Sequence, residues 1–231
     1  MSRALAHTGQ VPAAHQDPFR ILLVCTGNIC RSAFAERLGR AWLEETLGQD
    51  VGILHVASAG TRAVVGSAMH PDSALVLRGF GVEAGDFRAR QLRAEHVDRA
   101  DLVLTMTRAH RNAVLTLAPR AMARTFALRE AAALLSRSEE ADVPEVEFSG
   151  APSGERARQV VQRLTTARRH RASDEGDDIR DPIGQPVEVH EEVAELIVAA
   201  LLPLLRRLGG QESVLGDRSS AKADVDNADG I

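Results

Sequence analysis

One segment constrains this chain more than any other: Arg20-Ile-Leu-Leu-Val-Cys25-Thr-Gly-Asn-Ile-Cys30-Arg-Ser32. Residues 21–24 are apolar without alternation, so a strand here must be buried on both faces, as in the interior of a parallel sheet. The run breaks at Thr26-Gly-Asn28, which is turn chemistry. From residue 33 to 47 apolar side chains recur with helical period. A fully buried strand, a tight five-residue loop and a helix in immediate succession leave few architectures open.

The rest of the chain keeps the same rhythm. Strands are expected at 51–56, ending at Ser58-Ala59-Gly60, at 102–106 and at 124–128. Helices are expected at 70–78, 107–117 and 129–136, with an amphipathic helix at 188–208. Such alternation predicts an α/β fold, a three-layer sandwich with a four-stranded parallel sheet flanked by helices, of flavodoxin-like type. In sheets of this kind ligands bind beyond the carboxyl ends of the strands. The loop after the first strand is therefore where chemistry is expected.

That loop suits a phosphate dianion. A helix N-terminus presents several N–H donors and a favourable dipole. Gly27 allows a tight turn, Asn28 tolerates a left-handed backbone, and Arg31 offers a fork of donors to two oxygens. The same field should hold Cys25 as a thiolate, ready for in-line attack on phosphorus, with Ser32 as a hydroxyl donor to the sulfur. An inert core thiol would not explain Gly, Asn, Arg and Ser at these positions. A nucleotide-binding P-loop would need Gly-Lys-Ser/Thr, which is absent. Half a metal site is disfavoured because Cys25 and Cys30 are the only cysteines and the histidines are scattered along the chain.

Cys25-Thr-Gly-Asn-Ile-Cys30-Arg-Ser32 resembles the signature of the low-molecular-weight protein tyrosine phosphatases. Further segments resemble that family in order: Ser58-Ala-Gly-Thr61, Ala89-Arg-Gln-Leu92, Ala100-Asp-Leu-Val-Leu104 with Met106, Phe126-Ala-Leu-Arg-Glu130, and Asp178-Ile-Arg-Asp181-Pro182. The resemblance spans roughly residues 19–208. It implies the family's fold and hydrolysis of phosphate monoesters, in particular protein phosphotyrosine, through a phosphocysteine intermediate. By the same resemblance Cys25 is the nucleophile. Thr26, Gly27, Asn28, Ile29, Cys30 and Arg31 form the phosphate-binding loop, and Asn28, Ser32 and Ser58 support it. Asp181 is the general acid, and then the base for the attacking water. Neither a cofactor nor a metal is implied. The expected partners are a phosphorylated protein substrate and inorganic phosphate, the product and a competitive ligand.

The chain departs from the family in places. It has no tyrosine, and Ile183-Gly184 stand where an aromatic pair often follows Asp-Pro. Phe87 replaces a histidine that often joins the loop's hydrogen bonds, which predicts a looser loop or a different partner. Ala33 replaces a proline after Ser32. Residues 137–176 are longer than the usual connection before the acid. Their middle reads as one surface helix, or equally as loose surface. Its basic run, with Arg168, Arg169 and Arg171, reads as a solvated face rather than a site for a phosphorylated partner. Cys30 either forms a protective disulfide with Cys25 or packs beneath the loop.

Composition narrows the classes. A net charge of −4 gives no general attraction to nucleic acid or anionic membranes. Two cysteines make no secreted disulfide framework. The apolar run 196–205 is short and contains Pro203. Residues 1–18 read as a disordered leader, 19–208 as the phosphatase domain and 211–231 as a disordered tail. A cytoplasmic monomer is expected. Two rival functions fit the fold: an arsenate reductase using an external thiol, since no relay cysteines follow, and a non-catalytic phosphoprotein-binding module, for which Cys25 and Asp181 would be superfluous.

Overall fold

The structure, a computed structural model, describes residues 18–140, 153–169, 171 and 174–210. The expected leader and tail thus lie almost wholly outside the described residues. Four parallel strands form one sheet in the order β2-β1-β3-β4: β1 Phe19–Cys25, β2 Leu54–Gly60, β3 Leu102–Thr105 and β4 Thr125–Ala127. Seven α-helices accompany them among the described residues: α1 Arg31–Leu47, α2 Pro71–Gly79, α3 Ala94–Asp98, α4 Arg108–Leu117, α5 Leu128–Glu140, α6 Gly154–Arg168 and α7 Val187–Gly209.

The unbroken apolar run of β1 has the expected cause. Ile21, Leu23 and Cys25 face a large core built with α1, α2, α5, α6 and α7. Leu22 and Val24 face a smaller one with Val97, Ala100, Val114 and Ala118 from the α3 and α4 side. Both faces of β1 are covered, so its side chains need no alternation. The sheet departs from β1 in both directions, to β2 on one side and β3 on the other. Cys25 therefore ends a strand at a topological switch point, where such sheets open a crevice.

Several boundaries move. Residues 48–53 form a 3₁₀ helix, so β2 begins at Leu54 rather than residue 51. Gly48, with a positive φ of 51°, ends α1 and opens that 3₁₀ turn. Thr107 caps α4 by accepting the His110 amide, and α4 starts one residue later than expected. Helix α3 went unforeseen because five residues carry no readable period. Pro203 sits inside α7 on its exposed side, where the carbonyl left without a partner can meet water.

The basic run in 137–176 needs a correction. It forms α6, but this helix buries Arg156, Ala157, Val160, Val161 and Leu164. Arg168 lies 3.6 Å over the Phe126 ring, pairs with the buried Glu130 at 2.9 Å and donates to the Thr125 carbonyl at 2.6 Å. Arg171 makes a two-bond contact with Asp177. These two arginines hold the core shut and are not a solvated face; Arg169 alone of the three is exposed. The reading fails because a residue with a long apolar stem and a planar head can be interior as well as surface. No helix among the described residues is long and apolar enough to cross a membrane.

Candidate active site

The bowl between β1 and α1 is shaped from outside. The carbonyls of Cys25, Thr26 and Gly27 accept the amides of Thr61, Arg62 and Val64, and the Ile29 carbonyl accepts that of His70. Among the described residues the amides of Gly27, Ile29 and Cys30 donate to no carbonyl. No side chain caps α1 at Cys30, so its first-turn amides stay available too. Gly60 must be glycine: a Cβ there would lie 2.4 Å from the Thr26 carbonyl oxygen. The loop thus collects donors on its inner side, which is what an oxyanion needs.

Cys25 Sγ lies at the floor of the bowl, 2.9 Å from Ser32 Oγ and 3.3 Å from the Asn28 amide that donates to it. Asn28 is the one non-glycine residue with positive φ, 56°, among the described residues. Its side chain is fully buried and holds that strained backbone through three bonds. Nδ2 donates to Ser32 Oγ at 2.9 Å and Ser58 Oγ at 2.8 Å, and Oδ1 accepts the Arg90 amide at 2.9 Å. Ser58 passes the chain on, donating to Glu36 Oε2 at 2.6 Å, and Glu36 pairs with Arg40 at 3.0 Å.

Arg31 is 3% exposed. Its Nη1 donates to the Ile179 carbonyl at 3.0 Å, and its Nη2 to Asp181 Oδ2 at 2.5 Å and Thr26 Oγ1 at 3.5 Å. Its Nε is buried without a partner among the described residues. The acid loop is docked by one main-chain bond and one carboxylate: the Ile179 amide donates to the Met106 carbonyl at 2.8 Å, and Asp178 Oδ1 accepts the Arg108 amide at 2.7 Å. A cleft of about 580 Å³ opens here, with Thr26, Arg31, Arg62, His110 and Asp181 among its lining. His110 Nε2 lies 2.8 Å from Thr26 Oγ1 and its Nδ1 2.8 Å from Thr107 Oγ1. Burial, aided by the Arg31 charge, pushes the His110 ring down to about 4, so it is neutral at pH 7.

A sequence profile for low-molecular-weight phosphotyrosine protein phosphatases matches residues 20–170. The chain belongs to this family. It is accordingly a cysteine-dependent protein phosphatase whose chemistry is phosphomonoester hydrolysis. Its relatives divide by substrate. A protein-arginine-phosphatase of Geobacillus stearothermophilus is 40% identical over 113 residues, 49% of this chain and 71% of that protein. A probable low-molecular-weight protein-tyrosine-phosphatase, AmsI of Erwinia amylovora, is 37% identical over 106 residues, 46% of this chain and 68% of that protein. The solved structure of the YwlE arginine phosphatase from Geobacillus stearothermophilus superposes with a TM-score of 0.55 at 29% identity, covering 83% of this chain and 91% of that one.

Within this phosphatase the expected site residues Cys25, Thr26, Gly27, Asn28, Ile29, Cys30, Arg31, Ser32, Ser58 and Asp181 come together around one bowl. Three contributors were not anticipated. Glu36 follows Ser32 by one helical turn, a spacing that could have flagged it. Arg90 gives Asn28 a main-chain donor and the Ser58 carbonyl a side-chain one at 2.5 Å, and His110 enters from α4. Phe87 is buried and, among the described residues, makes no polar contact with the loop. Arg90 and Glu36 complete the network instead, so the loop has a different partner rather than a looser hold. Cys25 and Cys30 are both free and buried. Burial pushes the Cys30 thiol up to about 11, although Ser73 hydrogen-bonds it. The histidines are less scattered in space than in sequence, since His70 and His190 stand beside Cys30.

Proposed function

We propose that this phosphatase hydrolyses phosphotyrosine in proteins, with Cys25 as nucleophile, Arg31 as phosphate clamp and Asp181 as general acid. The phosphoryl dianion sits on the loop amides above Cys25 Sγ. Arg31 turns its fork from Asp181 to two phosphate oxygens, with the unpartnered Nε already buried beside the bowl. Cys25 sulfur attacks phosphorus in line as the P–O(aryl) bond breaks, and Asp181 gives its proton to the leaving phenolate. Asp181 then takes a proton from water, which attacks the phosphocysteine. Sulfur leaves with the Ser32 hydroxyl, 2.9 Å away, donating to it, and inorganic phosphate is released. The observation that carries this is the convergence of Cys25, Arg31 and Asp181, with Arg31 bridging the loop to the acid at 2.5 Å.

The tyrosine substrate is supported by the rim. Exposed apolar side chains stand on both flanking segments: Val64 and Val65 beside the loop, and Ile183 after Asp181-Pro182. They offer an aromatic ring apolar contact despite the missing aromatic pair. A phosphoarginine substrate is favoured by the Geobacillus relative, but the cleft also carries Arg62 and Arg180, which oppose a cationic guanidinium. Turnover of phosphotyrosyl, phosphoarginyl and phosphoseryl peptides decides. The phosphotyrosyl peptide should lead in kcat/KM by at least about ten-fold, one decade per 1.36 kcal/mol of differential binding. Cys25→Ser should abolish turnover, and Asp181→Asn should lower kcat by about 10²–10⁴. A phosphoarginyl preference would overturn the substrate, and turnover by Cys25→Ser would overturn the chemistry.

A further inference from the structure

Beneath the phosphate loop, on the side away from the cleft, three side chains from distant parts of the chain meet. Cys30 comes from the loop, His70 from the residue that opens α2, and His190 from the first turn of α7. One ligand atom from each lies within 4.8 Å of the others. Cys30 is 4% exposed and His190 2%. The imidazoles stack with centroids 4.9 Å apart and 18° between planes. His70 Nδ1 and His190 Nε2 are both buried without a well-aligned hydrogen bond among the described residues, the Pro182 carbonyl being the backbone acceptor beside the His190 ring. Both face one carboxylate oxygen, Asp72 Oδ2, at 3.7 Å and 3.9 Å, too far for a hydrogen bond.

This arrangement is costly as a core. An unsatisfied buried polar atom is costly, and two such atoms pointing at one place call for an explanation. A cation held between them removes the cost. We propose that Cys30, His70, His190 and Asp72 form a binding site for a divalent transition-metal ion of the zinc class. One thiolate, two imidazoles and one carboxylate are a donor set zinc accepts in tetrahedral geometry. With bonds of about 2.0–2.3 Å such an ion spaces its ligands about 3.3–3.6 Å apart, so side-chain shifts of about 1 Å bring Cys30, His70 and His190 onto one ion, and the half-exposed Asp72 carboxylate swings in as the fourth ligand. The ion takes Cys30 as thiolate and displaces its proton.

Two further features fit. His190 Nδ1 lies 2.9 Å from Ser73 Oγ, which fixes the imidazole with Nε2 toward Asp72. Asp72 is 41% exposed and gives the ion a way in, whereas the other three ligands are covered or half-covered. The site would join three segments: the phosphate loop, α2 and the start of α7, which follows directly from the Asp181-Pro182 turn. A bound ion therefore clamps the underside of the bowl and its acid loop together. This holds whichever phosphorylated residue the enzyme prefers.

Cobalt(II) is the probe, titrated into the metal-free full-length chain and followed by its thiolate-to-cobalt charge-transfer band and tetrahedral d–d bands, then displaced with zinc. One equivalent per chain is expected. Cys25→Ser should keep the spectrum and Cys30→Ser should lose the charge-transfer band. His70→Ala and Asp72→Asn, both at half-covered positions, should each weaken binding at least about ten-fold, with circular dichroism reporting that they remain folded. His190→Ala should do the same, and if this buried change unfolds the chain, the His70 and Asp72 variants decide. A band that survives Cys30→Ser but vanishes in Cys25→Ser places the ion on the nucleophile and overturns the proposal. So does the lack of a saturable band, or full affinity in folded His70→Ala.

Discussion

Asn28 is where the loop stores its strain, and two substitutions separate the terms. The side chain makes three buried hydrogen bonds, to Ser32, Ser58 and the Arg90 amide. At about 1 kcal/mol each they hold about 3 kcal/mol. The φ of 56° adds a penalty for any residue with a Cβ, about 1 kcal/mol, which glycine avoids. Asn28 itself already bears that penalty, so Asn28→Ala should cost about 3 kcal/mol and Asn28→Gly, which relieves it, about 2 kcal/mol. The assay is urea unfolding followed by the single tryptophan, Trp42, which packs against the main core. The same loss, if it fell wholly on the loop, would lower kcat/KM by about 10²-fold, because the Asn28 amide also donates to Cys25 Sγ. A loss below about 1.5 kcal/mol in Asn28→Ala, or a glycine variant less stable than the alanine one, would refute the account.

Two other expectations follow from buried charge. His110 is held near 4 in the fold and near 6.5 when unfolded, so the unfolded chain binds the extra proton between those values. Stability from this group is present above pH 6.5 and lost as pH falls toward 4, roughly 3 kcal/mol in all; urea midpoints from about pH 4.5 to 7.5 should slope upward, and His110→Gln should flatten them. Arg168→Ala strands the buried Glu130 and empties the space over Phe126, for a loss of about 3–5 kcal/mol by chemical denaturation; a change under about 0.5 kcal/mol would restore the solvated-face reading.

What could be read along the chain is what depends on neighbours in sequence. The unbroken apolar run of β1, the Gly-Asn turn and the helix that follows are local, and they place Cys25, Arg31 and Ser32 within one loop and one helical turn. Four-strand alternation was equally local, and the parallel direction came with it, because strands separated by helices are joined by crossovers; the order β2-β1-β3-β4 depends on which strands meet and was not legible. Helix α6 was legible as a helix, yet its arginines were misjudged. Periodicity reports which face a residue occupies but not whether an aromatic ring and a carboxylate wait there to receive it, as Phe126 and Glu130 do for Arg168.

The hidden part of the site is the part assembled across long separations by groups that leave no pattern. Asp181 reaches Arg31 across 150 positions. What brings it there is a main-chain bond from Ile179 to Met106 and the hold of Asp178 on the Arg108 amide. Any residue at 106 could accept the first, and any residue but proline at 108 could donate the second, so neither position advertises its role. Arg90 likewise supports Asn28 through its amide, although its guanidinium Nε also donates to the Ser58 carbonyl at 2.5 Å. Side chains declare chemistry in a sequence and backbone groups do not, so a motif can be recognised where its nucleophile lies while the docking of its acid has to be seen. Asp178 is the exception, because its carboxylate makes the contact, next to the residue whose amide is fixed to Met106. Asp178→Ala should loosen Asp181 without touching the bowl, lowering kcat at least about ten-fold through misplacement of the acid. Inhibition by inorganic phosphate, which reads the bowl alone, should stay as it is; an unchanged kcat would mean that the main-chain bond at Ile179 docks the acid by itself.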